Sequence, residues 1–388
     1  MKCSKGCWIF CILVLLCFLA IPLHIGTFRI RIPPRMAEEL FKNFTKKYNI
    51  SYPNPKEFQK RFGIFRTTLE DILRLNMAHN STVHFGITPY SDLTPAEFAA
   101  LHLNKNMSHI VAARLKGIQE NPPVNINSTM KINNIKYEFT NNNDYDRYPS
   151  FYKPKLLNKN INFTPLKVDW RKENALRPVR LQGKCGACYA FSVIEMIEAA
   201  LSINKNLTKT LSVQQMIDCA ENGNDGCGGG DSCLLLQWLV ENQIKIRTER
   251  EYPRSEDGMN QTCHVLLDDS AFGLESYQIF DYTCSSFIGN EIALLEIIAN
   301  YGPVVAAVNA TPWQHILSGI IQHECDSSAV DVNHAVLIVG YDRSGPIPHY
   351  IIQNTWGDQF AENGFVRVAI GNNTCGIATQ IALAQVEK

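Results

Sequence analysis

Two cysteines stand in "GKCGACYAFS", Cys185 and Cys188, at C-x-x-C spacing ahead of an apolar helical period at Ala190, Ile194, Ile197 and Leu201. Three chemistries use that spacing: a redox dithiol, half of a zinc tetrahedron, or a structural cysteine beside a reactive thiol. A thioredoxin-type dithiol follows a strand inside a βαβ unit, whereas the residues ahead of Cys185 are the polar "DWRKENALRPVRLQGK", interrupted by Pro178. A zinc site needs a second pair, and Cys219, Cys227, Cys233 and Cys263 form no second C-x-x-C. A nucleophilic thiol remains. The thiolate is the attacking species, and a thiol that opens a helix gains from the helix dipole, more so with an imidazolium beside it.

Cys188 has that place, because the apolar helical period starts just after it. Of the ten histidines, His334 in "DVNHAVLIVGY" opens an apolar strand, a stiff mount for a proton acceptor. Asn354 in "IIQNTWGD" ends a neighbouring apolar run, where its amide oxygen could take the imidazole N–H and fix the ring tautomer. Gln182, six residues before Cys188, could aim a side-chain N–H at an oxyanion alongside the Cys188 backbone N–H. Taken singly, each of these three polar residues is more often structural, so the case rests on the set.

These groups must be held by a fold of some size, and 388 residues predict two or three folded units. Lys plus Arg equals Asp plus Glu at 37 each, with no dense basic run, which argues against a nucleic-acid partner. The N-terminus has Lys2 and Lys5 ahead of an apolar run from Trp8 to Ile25, a secretory leader over residues 1–26. No small-x-small cleavage pattern follows, and the run has near-spanning length, so both a removed signal peptide and a retained signal anchor fit. A membrane partner is implied only in the second case. Ten N-x-S/T sequons, among them Asn43, Asn80, Asn127, Asn206, Asn260 and Asn372, agree with a lumenal protein. Thirteen cysteines divide into four in the leader and nine from Cys185 onward. Nine is odd, so an oxidising compartment leaves at least one thiol unpaired or paired between chains.

Residues 38–76 carry two amphipathic helical patterns separated by "YPNP", where the prolines break the helix. Residues 104–160 turn to Asn, Pro and Tyr without apolar period and predict an extended linker. Beyond residue 162 a helical half is followed, after Tyr301, by apolar runs between turn residues, an α+β arrangement that commonly places a cleft between its halves. "GCGGGD" at 226–231 is not a phosphate loop, since it lacks the following Lys-Ser/Thr and a preceding strand.

"QGKCGACYAFS", "NHAVLIVGY" and "QNTWG", in that chain order, resemble the papain family of cysteine proteases, whose C-G-[SA]-C-[WY] signature the first contains. The resemblance implies a papain-like two-domain α+β fold over 162–388, with a helical left domain, a β-rich right domain and the active-site cleft between them. It implies a propeptide over 36–161: an inhibitor-like helical part over 36–103 and an extended linker over 104–161. Glu57, Arg61, Phe65, Ile72 and Asn76 match the family's proregion pattern, with Thr68 where Asn is usual. Gly86, Thr88, Tyr90 and Asp92 match a second motif with two of four positions changed.

Carried over residue by residue, the resemblance makes Cys188, His334, Asn354 and Gln182 the catalytic set and pairs Cys185 with Cys227, Cys219 with Cys263, and Cys325 with Cys375. Cys233 and Cys284 are left over, paired or not. Gly229, Gly230 and Trp356 would border the substrate, and Ala307, Val332 and Ala335 would wall the main specificity pocket above Gln380. That chamber is then expected to be apolar, to end in an uncharged amide and to disfavour Arg. Tyr189, Phe360 and Ala361 depart from the family's Trp, Trp and Gly. No metal or organic cofactor is implied. The implied partners are polypeptide substrates, the chain's own propeptide and cystatin-like inhibitors, in a lysosomal or secreted setting. A catalytically silent binding protein on the same fold is the rival expectation.

Overall fold

The computed structural model describes residues 32–77, 81–104, 107–120, 129–132, 135–139, 154–156, 164–264 and 276–386; from residue 114 through the strands ending at 156, only the backbone is described. The leader, with its four cysteines, lies outside the described residues.

The N-terminal helices Pro34–Lys47 and Pro55–Met77 are separated by the proline-rich turn and share a small core of Ala37, Phe41, Phe44, Phe65 and Leu69. Phe41 meets Phe44, Tyr52, Phe58, Phe62 and Phe65 at ring-centroid distances of 5.1–5.9 Å, so one aromatic side chain organises the pair. Arg61 clamps the next segment: its guanidinium bonds Glu57 at 2.7 Å, Glu97 at 2.9 Å and the Asp92 carbonyl at 3.1 Å. Glu97 also closes a capping box with Thr94 that starts the helix Pro95–His102.

Between these helices, strand His84–Phe85 adds to Ile316–Ser318 of the β-rich half in antiparallel register. Gly319 lets the two chains approach, since a Cβ there would lie 2.1 Å from the Thr82 carbonyl oxygen.

The expectation of an extended chain after Asn104 is corrected over Met107–Glu120, which forms a helix. Met107 and Val111, spaced i and i+4, are buried in the main core, and the Asn104 side chain accepts from the Met107 N–H at 3.1 Å as a cap. That short apolar period was hidden by the polar composition around it. The backbone then forms three short strands, Thr129–Ile132, Ile135–Phe139 and Pro154–Leu156, in one antiparallel sheet.

In the second half, helix Cys188–Lys205 is buried without interruption from Cys188 to Leu201. Burial on all sides is why its residues are apolar around the helix rather than along one stripe. It packs on an eight-stranded sheet whose neighbours run Ile320–Ile321, Phe365–Ala369, His349–Gln353, His334–Asp342, Val304–Val308, Ile381–Val386, Ile279–Ser285, with Lys167–Asp169 on the far end of His334–Asp342. Helices Val213–Cys219 and Ser232–Glu241 complete the helical half.

Disulfides link Cys185 to Cys227, Cys219 to Cys263, Cys325 to Cys375 and Cys233 to Cys284. The last ties helix Ser232–Glu241 to strand Ile279–Ser285. Cys188 is the free cysteine among the described residues. The sequons at Asn43, Asn206, Asn260 and Asn372 are exposed, whereas Asn309 is buried; Asn80 and Asn127 fall outside the described residues.

Candidate active site

Cys188 is the first residue of its helix, and the Cys185–Cys227 bridge fixes the turn that presents it. The helical half therefore supplies the thiol and the β-rich half supplies its partners. His334 is the first residue of strand His334–Asp342, paired with Val308, while Ala335 pairs with Ala307. The Cys188 sulfur lies 4.0 Å from the Gly186 carbonyl oxygen, and the backbone of Ala335, next in the chain to His334, is among the groups that favour its thiolate. Asn354 follows strand His349–Gln353 and is held by its own N–H to the Gly364 carbonyl at 3.0 Å.

His334 Nε2 lies 2.7 Å from Asn354 Oδ1, which also accepts from the Thr355 N–H at 2.8 Å. An amide oxygen takes only a donated proton, so Nε2 carries the hydrogen and Nδ1 is the basic nitrogen. Nδ1 is buried without a hydrogen-bond partner. The Trp356 ring covers the imidazole at 4.8 Å and shields the amide bond from water. Phe360 meets that indole edge-on at 4.8 Å, and Ala361 adopts a left-handed φ of 46°, a conformation a glycine would take at lower cost.

Gln182 sits opposite. Its backbone N–H bonds the Thr355 carbonyl at 2.8 Å, and the Thr355 hydroxyl donates to the side-chain Oε1, which leaves Nε2 pointing into the cleft. Nε2 donates to the Cys185 carbonyl at 2.8 Å and to the His102 carbonyl at 3.2 Å. His102 belongs to the N-terminal segment, so that segment lies against the Gln182 amide.

Two residues on, the Asn104 N–H donates to the Asn333 carbonyl at 2.8 Å, and its side-chain amide donates to the Gly230 carbonyl. A Cβ on Gly229 would lie 2.3 Å from Asn104 Oδ1, and one on Gly230 would lie 2.9 Å from the Tyr189 ring, so the bare glycines make room on both faces. Asn104 and Thr355 were not singled out from the sequence, since a lone Asn beyond a helix and a Thr between Asn and Trp carry no periodic or motif signal of their own.

Burial of this covered cleft pushes the Cys188 thiol up to about 11, against the hydrogen bonds from Ala335, Tyr189 and Asn104 that favour the thiolate. Burial also pushes His334 down to about 4, with His102 adding in the same direction and the Asn354 bond opposing. The pair is thus neutral while the segment is in place.

The Gln380 carbonyl accepts from the Ala307 N–H at 3.0 Å, and a Cβ on Gly376 would lie 2.8 Å from Val332. Gln380 Nε2 donates to Asp231 Oδ2 at 2.9 Å, so the amide is bonded to a buried carboxylate. Asp231 went unremarked because its sequence neighbours read only as a glycine-rich turn and a helix start. No group of three or more His, Cys, Asp or Glu side chains suited to a metal occurs among the described residues.

Comparison with known proteins agrees with this geometry. Residues 164–385 match the papain family cysteine protease model, and residues 41–98 match the cathepsin propeptide inhibitor domain (I29). The chain belongs to the papain family of cysteine proteases. It is 32% identical to cathepsin O of Homo sapiens over 84% of this chain and 88% of that protein, and 35% identical to cathepsin O of Mus musculus over 78% and 82%.

The digestive procathepsin L2 proteinase from Tenebrio molitor larval midgut superposes with a TM-score of 0.70 at 26% identity, covering 90% of this chain and all but 1% of that one. A recombinant stem bromelain precursor shares the fold at a TM-score of 0.70 and 24% identity, over 91% of this chain and 100% of its own. The papain-family protein is thus a cysteine protease zymogen with an α+β peptidase fold and a helical propeptide.

Proposed function

We propose that this zymogen matures to an endopeptidase in which Cys188 is the nucleophile, His334 the general base and then acid, Asn354 the residue that orients the imidazole, and Gln182 an oxyanion donor. The observation that carries the assignment is the 2.7 Å bond from His334 Nε2 to Asn354 Oδ1, which leaves Nδ1, buried and without a hydrogen-bond partner, as the proton acceptor. Nδ1 takes the thiol proton and the thiolate adds to the peptide carbonyl. The resulting oxyanion takes hydrogen bonds from Gln182 Nε2 and the Cys188 N–H. The imidazolium returns its proton to the departing amine as the C–N bond breaks. Water, deprotonated by the same nitrogen, releases the acyl group from sulfur.

Residues 36–161 act as the propeptide in this reading, with 162–388 as the mature peptidase. The contacts of His102 and Asn104 with Gln182, Asn333 and Gly230 support inhibition by occupancy of the cleft. The sequons and the apolar leader support passage through the secretory route to a lysosomal or secreted site of protein degradation. Cystatin-like proteins, which would compete for the same cleft, are proposed as partners.

The test is labelling by a thiol-reactive epoxide peptide before and after acid conversion. Label that appears only on the converted form, and is lost in Cys188→Ala, is expected. A converted protein that takes no label would instead be a silent papain-fold binding protein.

A further inference from the structure

We infer that Arg254 is a positioning residue of the peptidase: its guanidinium holds the Gln182 main chain against the helix that carries Cys188, and so aims the oxyanion donor. This rests on the reading above, in which Gln182 Nε2 bonds the oxyanion.

Arg254 lies in the loop that follows the short strand Ile246–Arg247. Its own N–H donates to the Glu249 carboxylate at 3.0 Å, and the Glu249 N–H donates to the Thr210 carbonyl at 2.9 Å, so the loop is anchored before the side chain leaves it. Arg254 Nη2 donates to the Gly258 carbonyl at 2.6 Å and to the Gln182 carbonyl, 72 residues back in the chain, at 3.2 Å. Gly183 follows Gln182 with a left-handed φ of 70°, which turns the chain straight after the carbonyl that Arg254 holds. The guanidinium also stands over the Phe191 ring, 5.0 Å from its centroid, and Phe191 is in the first turn of helix Cys188–Lys205. One cation therefore touches both the nucleophile's helix and the main chain of the oxyanion donor.

The loop itself does not call for this group, because its turn is already closed by the Gly258 N–H on the Ser255 carbonyl at 3.0 Å. Placing a guanidinium there is unfavourable in two ways. Its Nη1 is buried without a hydrogen-bond partner, and burial pushes the group down from the usual arginine range, with Glu249, Asp218 and Asp257 opposing. The bond that the loop does not need is the one to Gln182. Thr355 of the β-rich half fixes the Gln182 N–H and Oε1, and Arg254 of the helical half fixes the carbonyl. Without Arg254 the Gln182 main chain would be held from the β-rich side alone, and its distance from the Cys188 N–H would follow any movement between the halves. Departure of the propeptide also takes the His102 carbonyl from Gln182 Nε2, so this hold acts above all in the mature enzyme. An oxyanion donor works when it is fixed before the charge develops, and small misplacements of such a group are costly.

The experiment uses the acid-converted enzyme, a fluorogenic peptide amide and, as a second probe, iodoacetamide. In that alkylation the Cys188 sulfur displaces iodide from carbon and no oxyanion forms, so it reports the thiolate alone. Arg254→Met keeps the stem and removes the donors; it should lower kcat about tenfold with KM within about twofold, while the alkylation rate and its pH profile stay those of wild type. Arg254→Leu serves if Arg254→Met does not fold. Arg254→Lys should recover part of the loss, since an ammonium offers three donors. Gln182→Ala should itself lower kcat, and adding Arg254→Met to it should change kcat by less than about twofold, because no amide is left to aim. A kcat unchanged by the neutral variants, an equal loss in the Gln182→Ala background, or a parallel fall in alkylation overturns the inference while leaving the peptidase reading intact. A Gln182→Ala enzyme with wild-type kcat would instead remove the oxyanion role of Gln182, and the inference with it.

Discussion

Opening of the zymogen should be driven by protonation of His102, and His102→Phe should delay it to lower pH. His102 ends the helix Pro95–His102 and is 5% exposed, with Tyr90 at 4.5 Å and Phe98 at 5.5 Å between ring centroids. Its Nδ1 is buried without a partner. Burial pushes the imidazole from 6.5 down to about 4; Lys184 acts in the same direction and a hydrogen bond with the Gly183 backbone opposes.

A histidine depressed in the closed form favours that form fully above its free pKa, and the contribution fades as pH falls from 6.5 toward 4. A drop of about 2.5 pH units at ~1.4 kcal/mol each is about 3.5 kcal/mol, or roughly three-hundredfold in the closed-to-open ratio. His315, beside the docked strand, and His334 are pushed down to about 4 by burial as well, so they add to the same trend. Glu97, held low by Lys60 and Arg61, keeps its ion pairs through this range and does not contribute to it.

Phenylalanine keeps the ring packing and removes the titration, and the His102 carbonyl on Gln182 is untouched. The assay is the cutting of a Cys188→Ala zymogen by a fixed trace of mature enzyme between pH 4 and 7, followed on gels and normalised to peptide hydrolysis at each pH. At pH 5 the His102→Phe form should be cut about thirtyfold more slowly, since at that pH the histidine supplies only part of its full effect. Superimposable pH profiles for the two zymogens would refute the argument.

Asn354→Ala leaves His334 Nε2 without its acceptor and should lower kcat by at least about tenfold, read by steady-state hydrolysis. Cys188→Ala should abolish peptide hydrolysis while its far-UV circular dichroism stays that of wild type. Glu195, buried on the Cys188–Lys205 helix without a hydrogen-bond partner for either oxygen, is pushed up to about 8 by burial, with Glu198 adding and Arg180 and Gln353 opposing. An acid raised in the folded state loses stability as pH rises from 4.5 toward 8, here on the order of 4 kcal/mol. Glu195→Gln should therefore flatten the fall in melting temperature between pH 5 and 8. Opening the Cys233–Cys284 bridge by a double Ser substitution releases a separation of 51 residues and should cost about 4 kcal/mol, measured by denaturant unfolding.

The sequence by itself determined the chemistry and much of the frame. Cys188 is marked by a helix that starts on it, His334 and Asn354 by the apolar strands that carry them, and the propeptide helices by their aromatic faces and the "YPNP" break. All of these are local, because periodicity and spacing are properties of neighbouring residues. The helix Met107–Glu120 was lost in the same region for a local reason too, since two buried apolar residues in a polar stretch make a faint period.

What only the tertiary structure decided are relations between residues far apart in the chain. The partner of Cys233 is Cys284, 51 residues on, and spacing alone does not choose among pairings. The Gln182 amide is oriented by Thr355, 173 positions away, and covered by the His102 carbonyl, 80 positions away. Asp231 reads in sequence as a helix cap and nothing more, yet Gln380 bonds it across 149 residues. The side chains in a cleft are set by how two halves of a chain pack, and neither half carries that information in its own pattern.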